Sequence, residues 1–249
     1  PLRDMDIYSL TPANSKRQEM VSLYADIDGF TAYVADHINE KTDDVVRTLH
    51  VIRSELERVV TSDFEGRRVR FIGDCVQALS CDGTAHTTDE EKSVSEATRL
   101  AGALRSSFNL AIERLNAEGI ETGDLGLAIG FDLGPIAVTR LGAKGIRVRC
   151  AIGRSVIESE KRQCACSGVE TAIGQAAYDA ASKAVQNLFV KSRKTSHLDY
   201  NEATEALADD GDASAKQARS EAYAGSAAII RADERQVQPH SRQKVDGSR

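Results

Sequence analysis

The chain is 249 residues long, enough to bury one sizeable core with an appendage beside it. Its formal net charge of −6 excludes non-specific binding to nucleic acid through phosphate neutralisation, although a small anionic ligand needs only a few local cations. No apolar run approaches the roughly 20 residues of a membrane-spanning helix, so neither a span nor a signal peptide is expected; the five cysteines, odd in number and without a CxxC pair, point to reduced thiols in the cytoplasm.

The apolar run Met20-Val21-Ser22-Leu23-Tyr24-Ala25 reads as a strand that finishes on a carboxylate, Asp26. Val45, Leu49, Ile52, Leu56 and Val59/Val60 recur at steps of four and three, which predicts an amphipathic helix over 43–61. Two short apolar runs punctuated by Gly73-Asp74 predict a hairpin over 69–79. After a polar loop, Val94, Ala97, Leu100, Leu104, Phe108, Ile112 and Leu115 predict a second helix that stops at Gly119. Segments 125–132 and 136–141 read as two strands separated by a Gly134-Pro135 turn, and 149–153 leads into a helix from Ser155. The order β-α-β-β-α-β-β-α predicts an α+β sandwich with helices on one face of a mainly antiparallel sheet. Beyond Ser192 the composition shifts to Ala, Asp, Glu and Ser and then becomes polar throughout. The expected organisation is a lead-in over 1–18, a main domain over 19–192, a short helical C-terminal appendage over 193–235 and a disordered tail over 236–249.

If the hairpin pairs beside the first strand, Asp26 at the strand end and Asp74 at the hairpin tip converge at one end of the sheet. Two buried carboxylates repel strongly unless they are protonated or bridged by a cation. A hard divalent ion, held by one or two carboxylates plus phosphate oxygens, supplies such a bridge. The junction Ile27-Asp28-Gly29-Phe30-Thr31 runs from strand into helix and offers free backbone N–H groups that favour phosphate. By spacing alone the same residues read more often as turn chemistry, with Asp26 and Asp28 as a turn and an N-cap and Gly73-Asp74 as a hairpin turn.

Four segments, taken in order, bear on that choice. Ala25-Asp26-Ile27-Asp28-Gly29-Phe30-Thr31 resembles the first metal motif of the class III nucleotidyl cyclases, and Arg70-Phe71-Ile72-Gly73-Asp74 resembles their second. Ile129-Gly130-Phe131-Asp132-Leu133-Gly134-Pro135-Ile136 resembles their Gly-rich strand pair, and Ala151-Ile152-Gly153-Arg154-Ser155-Val156 the segment that carries their last catalytic residues. The resemblance implies a ferredoxin-like class III cyclase sandwich and a homodimer with composite active sites at the subunit interface. It also implies two divalent metal ions, Mg2+ or Mn2+, held by Asp26 and Asp74 with the Ile27 carbonyl as a further ligand. The amides of Asp28, Gly29, Phe30 and Thr31 would cradle the β- and γ-phosphates. Attack of the ribose 3′-hydroxyl on the α-phosphate would then give a 3′,5′-cyclic nucleotide and pyrophosphate.

Two positions read the base in the purine cyclases of this family, and here they are Arg70 and Cys150. Arg70 can only donate, so it cannot replace the Glu that accepts from guanine, and Cys150 is a poor acceptor for the adenine amino group. Period two puts Ser22, Tyr24 and Asp26 on one side of the strand, so the Tyr24 ring is expected to point towards the nucleotide and to shrink the pocket to a one-ring base. These features resemble the pyrimidine cyclases of bacterial anti-phage (Pycsar) defence. Uracil presents O4 as an acceptor where cytosine presents an amino group, so Arg70 matches UTP. The implied product is cyclic UMP, a second messenger for a separate cyclic-nucleotide receptor. A cytidylate or adenylate cyclase and a degenerate nucleotide-binding or dimerisation module are the other readings; an Arg70 salt bridge and Tyr24 as ordinary strand filler are the structural ones.

The helix after Ser155 departs from the purine pattern. Where purine cyclases place Asn and Arg four residues apart, this chain has Ile157 and Lys161. Lys161 keeps a cation as a point charge rather than a fork, and Arg162 stands next to it. One of the two is expected to face the transition state, with Lys161 favoured.

Overall fold

A single long strand organises the molecule. In β1 (Lys16–Asp28) the side chains of Val21, Leu23, Ala25 and Ile27 fall on one face and those of Met20, Ser22, Tyr24 and Asp26 on the other. The computed structural model describes residues 6, 9–64, 66–84, 86–143 and 145–208; the expected tail and most of the expected appendage lie outside the described residues. After β1 come α1 (Phe30–His37), α2 (Thr42–Arg58) with a π-helical turn at its end (Val59–Asp63), and the hairpin of β2 (Arg67–Ile72) and β3 (Cys75–Ser80). Next are α3 (Glu90–Ala117), β4 (Gly126–Leu141), β5 (Val148–Ile152) and α4 (Arg154–Cys164). The described chain closes with β6 (Glu170–Ile173), α5 (Gln175–Ala180), α6 (Lys183–Leu188), β7 (Lys194–Ser196) and α7 (Tyr200–Ala206).

The strands form one sheet in the order β2-β3-β1-β4-β6-β7, with β5 also paired to β4. Pairing is antiparallel throughout except between β4 and β6. The predicted helices form where the periodicity places them. Asp43 and Asp44 open α2 and Arg58 closes it, in keeping with the helix dipole, and the Asp89 carboxylate caps α3 by accepting from the Lys92 N–H. Val21, Leu23, Ala25 and Ile27 bury against α2 and α3 through Ile52, Leu56, Leu100, Leu104 and Phe108, which makes the main core. At the far end, β7 extends the sheet beside β6, and α7 lies on α3, where Gly102 admits the Asp199 carbonyl at a point that a Cβ would approach to 2.4 Å. No described helix is long and apolar enough to cross a membrane.

Two expectations are corrected. The segments 125–132 and 136–141 are not a pair of strands about a turn but one strand, β4, which runs through Gly134 and Pro135. β6 pairs with β4 up to Phe131 and β5 from Ala137 onward, so Pro135 falls where β4 has a strand on one side only, a setting that tolerates a residue without an N–H. The helices also do not share one face. α4 lies on the opposite face of the sheet from α2 and α3, because Gly130 leaves the space there that its backbone occupies and Gly134 the space that its Ser155 side chain occupies. A Cβ at Gly130 would stand 2.1 Å from the Gln163 nitrogen and 2.5 Å from the Ser159 carbonyl oxygen. Beside α4, a second, smaller core gathers Leu10, Met20, Tyr24, Val69, Leu79, Ile136, Val138 and Val156. Replacing Gly130 by Ala is therefore expected to cost about 3 kcal/mol by overpacking, read from the urea midpoint; an unchanged midpoint would show that α4 does not rest on β4 at that residue.

Candidate active site

The β1–β3 register pairs Ala25 with Val76, so the next step along β1 sets Asp26 opposite Cys75. Asp74 immediately precedes Cys75 in the hairpin turn, where Gly73 takes the left-handed φ of 62° that closes it. The two carboxylates thus meet at one end of the sheet. Burial pushes the Asp26 carboxyl above the usual carboxylate range, and the negative charge of Asp74 pushes it further. Burial raises Asp74 as well. The Gln163 side chain donates to Asp26 Oδ2 at 3.4 Å, and the neighbouring Cys75 thiol is held protonated by burial and by the charges of Asp26, Asp74 and Glu160. Two half-buried acids, each short of positive charge and offering only oxygen, fit a hard divalent ion. Among the described residues no three His, Cys, Asp or Glu side chains form a cluster that could hold a metal ion, so phosphate oxygens would have to complete the coordination.

At the junction that follows, Gly29 caps α1 with a left-handed φ of 84°, no side chain caps the helix, and its first turn holds no acid. The first N–H groups of α1 are therefore open to an anion. Asp28 is not the N-cap: its Oδ2 accepts from the Gly168 N–H at 2.7 Å and ties the end of β1 to the loop after α4. Phe30 turns into the main core, while Thr31 is exposed.

Tyr24 pairs with Gln77 on β3, and Gln77 pairs with Arg70 on β2, so the three stand in one row on the Asp26 side of the sheet. A register shift between Arg68 and Arg70 marks a bulge, the local device that re-aims a strand side chain. Arg70 is exposed, whereas Tyr24 is 3% exposed and its ring fills part of the second core. Burial, and then Glu160, push the Tyr24 hydroxyl up to about 12, with Arg70 acting against them. Cys150 lies partly exposed on β5 opposite Thr139, and β5 approaches β2.

On α4, Ser155, Ser159 and Gln163 form the stripe that meets the sheet, and Ser159 Oγ donates to Ser22 Oγ at 2.9 Å. Lys161 is exposed and ion-paired with Glu158 at 2.7 Å. Arg162 lies on the flank where its charge acts on Asp132 and Glu158. Neither cation is among the groups that shift Asp26 or Asp74; Glu160 is the charged α4 residue whose field reaches Tyr24 and Cys75. Gln77, Glu160 and Gln163 escaped the sequence reading. The polar stripe 155/159/163 at steps of four was the available signal for Gln163, and a lone polar residue in an apolar hairpin strand was the one for Gln77.

The chain has the class III nucleotidyl cyclase fold. The fold recurs in the adenylyl cyclase CyaB from P. aeruginosa (TM-score 0.59, 23% identity, 67% of this chain and 81% of that one) and in the guanylyl cyclase Cya2 (TM-score 0.59, 19% identity, 69% and 82%). A crystal structure of a class III adenylyl cyclase-like ATP-binding protein from Pseudomonas aeruginosa is much nearer, with a TM-score of 0.81 and 98% identity over 84% of this chain and 44% of that one. In sequence the chain is 99% identical over all 249 residues to a uridylate cyclase from Pseudomonas aeruginosa, of which it covers 48%. It is 45% identical over 191 residues, 76% of its length, to a uridylate cyclase from a Rhizobium species, of which it covers 36%. The chain thus spans about half or less of the curated relatives it matches. No family model matches it.

Asp26 and Asp74 each hold their proton more tightly in the folded chain than in the unfolded one. Metal-free protein therefore loses stability as the pH rises from the ordinary carboxylate pKa through the raised one. Asp74→Asn is expected to raise the melting temperature in a chelator at pH 7. A lower melting temperature would show that Asp74 stabilises the turn instead.

Proposed function

We propose that the chain is the catalytic part of a cyclase that converts UTP to 3′,5′-cyclic UMP and pyrophosphate, with two copies completing each active site. The observation that carries this reading is the convergence of Asp26 and Asp74 on the face where the Tyr24 ring takes up space in one row with Arg70. Two divalent ions, Mg2+ or Mn2+, fit Asp26, Asp74 and the Ile27 carbonyl, and would supply the charge that acidifies the 3′-hydroxyl and neutralises the triphosphate. The N–H groups at the uncapped start of α1, with those of Asp28, Gly29, Phe30 and Thr31 as the resemblance implies, bind the β- and γ-phosphates. Tyr24 excludes the second ring of a purine, Arg70 donates to uracil O4, and Cys150 lines the base side from β5.

Within one chain the charges that act on Asp26 are those of Asp74 and Asp28, both acids, while Lys161 points to solvent in an exposed pair with Glu158 that can exchange for a stronger partner. A second copy supplies the missing cation from its own α4, through Lys161 rather than Arg162. Ile157, at the position where purine cyclases carry Asn, is 54% exposed and Ile152 is 55% exposed, an apolar surface suited to burial against that copy. The relatives named uridylate cyclase support UTP; the ATP-binding description of the near-identical crystal structure favours ATP as the second reading. Cyclic UMP made in the cytoplasm would act as a second messenger on a separate cyclic-nucleotide receptor, in keeping with a role in anti-phage defence.

Incubation with Mn2+ and each of the four nucleoside triphosphates tests the reading. Cyclic UMP is the expected main product, and equal or greater turnover of ATP would contradict it. Tyr24→Ala is expected to shift the UTP-to-ATP preference towards ATP by roughly tenfold or more. Lys161→Ala is expected to lose about 100-fold in turnover by removing a transition-state charge, with Arg162→Ala close to the parent; the reverse order would assign that role to Arg162.

A further inference from the structure

Gln77 occupies the middle of the row formed with Tyr24 and Arg70. It is 1% exposed, and neither its Oε1 nor its Nε2 has a hydrogen-bond partner among the described residues. An amide buried without partners carries a desolvation penalty that a leucine of similar volume would avoid, so each such group calls for an explanation. The explanation here lies in what flanks it. On one side is the Tyr24 ring; on the other is Arg70, exposed at a bulge. A one-ring base admitted between them would meet the Gln77 amide with its hydrogen-bonding edge.

We propose that Gln77 is a base-reading residue that separates uracil from cytosine, a proposal that rests on the pyrimidine reading of this site. With Arg70 donating to O4, the Gln77 Oε1 accepts from the uracil N3–H and its Nε2 donates to O2. Cytosine presents acceptors at both N3 and O2, so the amide faces one acceptor with another in either orientation. Arg70 in turn faces the cytosine amino group, donor against donor. The two side chains thus reject cytosine at two of its three edge positions, the amino group and N3, whereas a donor-only Arg70 by itself acts at the first alone.

The test compares the wild-type chain with Gln77→Leu and, as the nearest unbranched apolar shape, Gln77→Met. The readouts are kcat/KM for UTP and CTP, inhibition by pyrophosphate, which has no base to read, and melting temperature. Expected is a loss of roughly 100-fold for UTP, a much smaller loss for CTP, unchanged pyrophosphate inhibition and a melting temperature equal to or above wild type. Wild type that prefers UTP beside variants with the same turnover and the same preference would overturn the proposal alone. Equal losses for UTP and CTP together with lost pyrophosphate inhibition would also overturn it, by making Gln77 a structural residue. Wild type that does not prefer UTP would overturn the pyrimidine reading, and the proposal with it.

Discussion

β1 is paired with β4 along all 13 of its residues and with β3 over its buried half, and that double clamp fixes which side chain faces which way. A slip of one residue would carry Asp26 into the apolar core and turn Leu23 and Ala25 outward, so the register is strongly specified. Three other features inherit it. The hairpin turn arrives beside Asp26 because Ala25 pairs with Val76; Tyr24, Gln77 and Arg70 line up because their strands are adjacent; and α4 can lie on the sheet because Gly130 and Gly134 share the Asp26 face.

The electrostatics follow from this placement. Asp26, Asp74 and Glu160 are gathered on one side, and the α4 cations are turned elsewhere or paired, so the folded chain carries a local excess of negative charge. Such an arrangement is costly by itself and is relieved by ligands that bring positive charge. That makes the same residues a burden in the isolated chain and an attraction for divalent ions. The uncapped start of α1 is the complementary element, a place where negative phosphate is welcome a few residues from where positive ions are needed.

Much of this was legible in the sequence because it rests on local periodicity. Steps of three and four gave α2 and α3, alternation put Tyr24 and Asp26 on one face, and Gly73-Asp74 gave the hairpin that brings the acids together. What escaped depends on neighbours distant in the chain. Gly134-Pro135 has the local chemistry of a turn, and only β1 holds it extended. Asp28 looks like an N-cap until Gly168 is found opposite its carboxylate. The face chosen by α4 is set by the absence of side chains at two strand glycines, and periodicity within α4 does not report it. Gln77 is an unremarked polar residue until the β1–β3 register sets it against Tyr24 and the β2 bulge sets it against Arg70.

The central claim is that the Asp26–Asp74 convergence is a site for divalent ions engaged with a nucleotide triphosphate. Anomalous scattering from crystals grown with Mn2+ and an unreactive UTP analogue tests it most directly. The account predicts two peaks, roughly 3.5–4 Å apart as in other two-metal sites, both at the carboxylate oxygens of Asp26 and Asp74. Manganese bound to phosphate alone, or at other side chains, with the two carboxylates left facing each other, would contradict it.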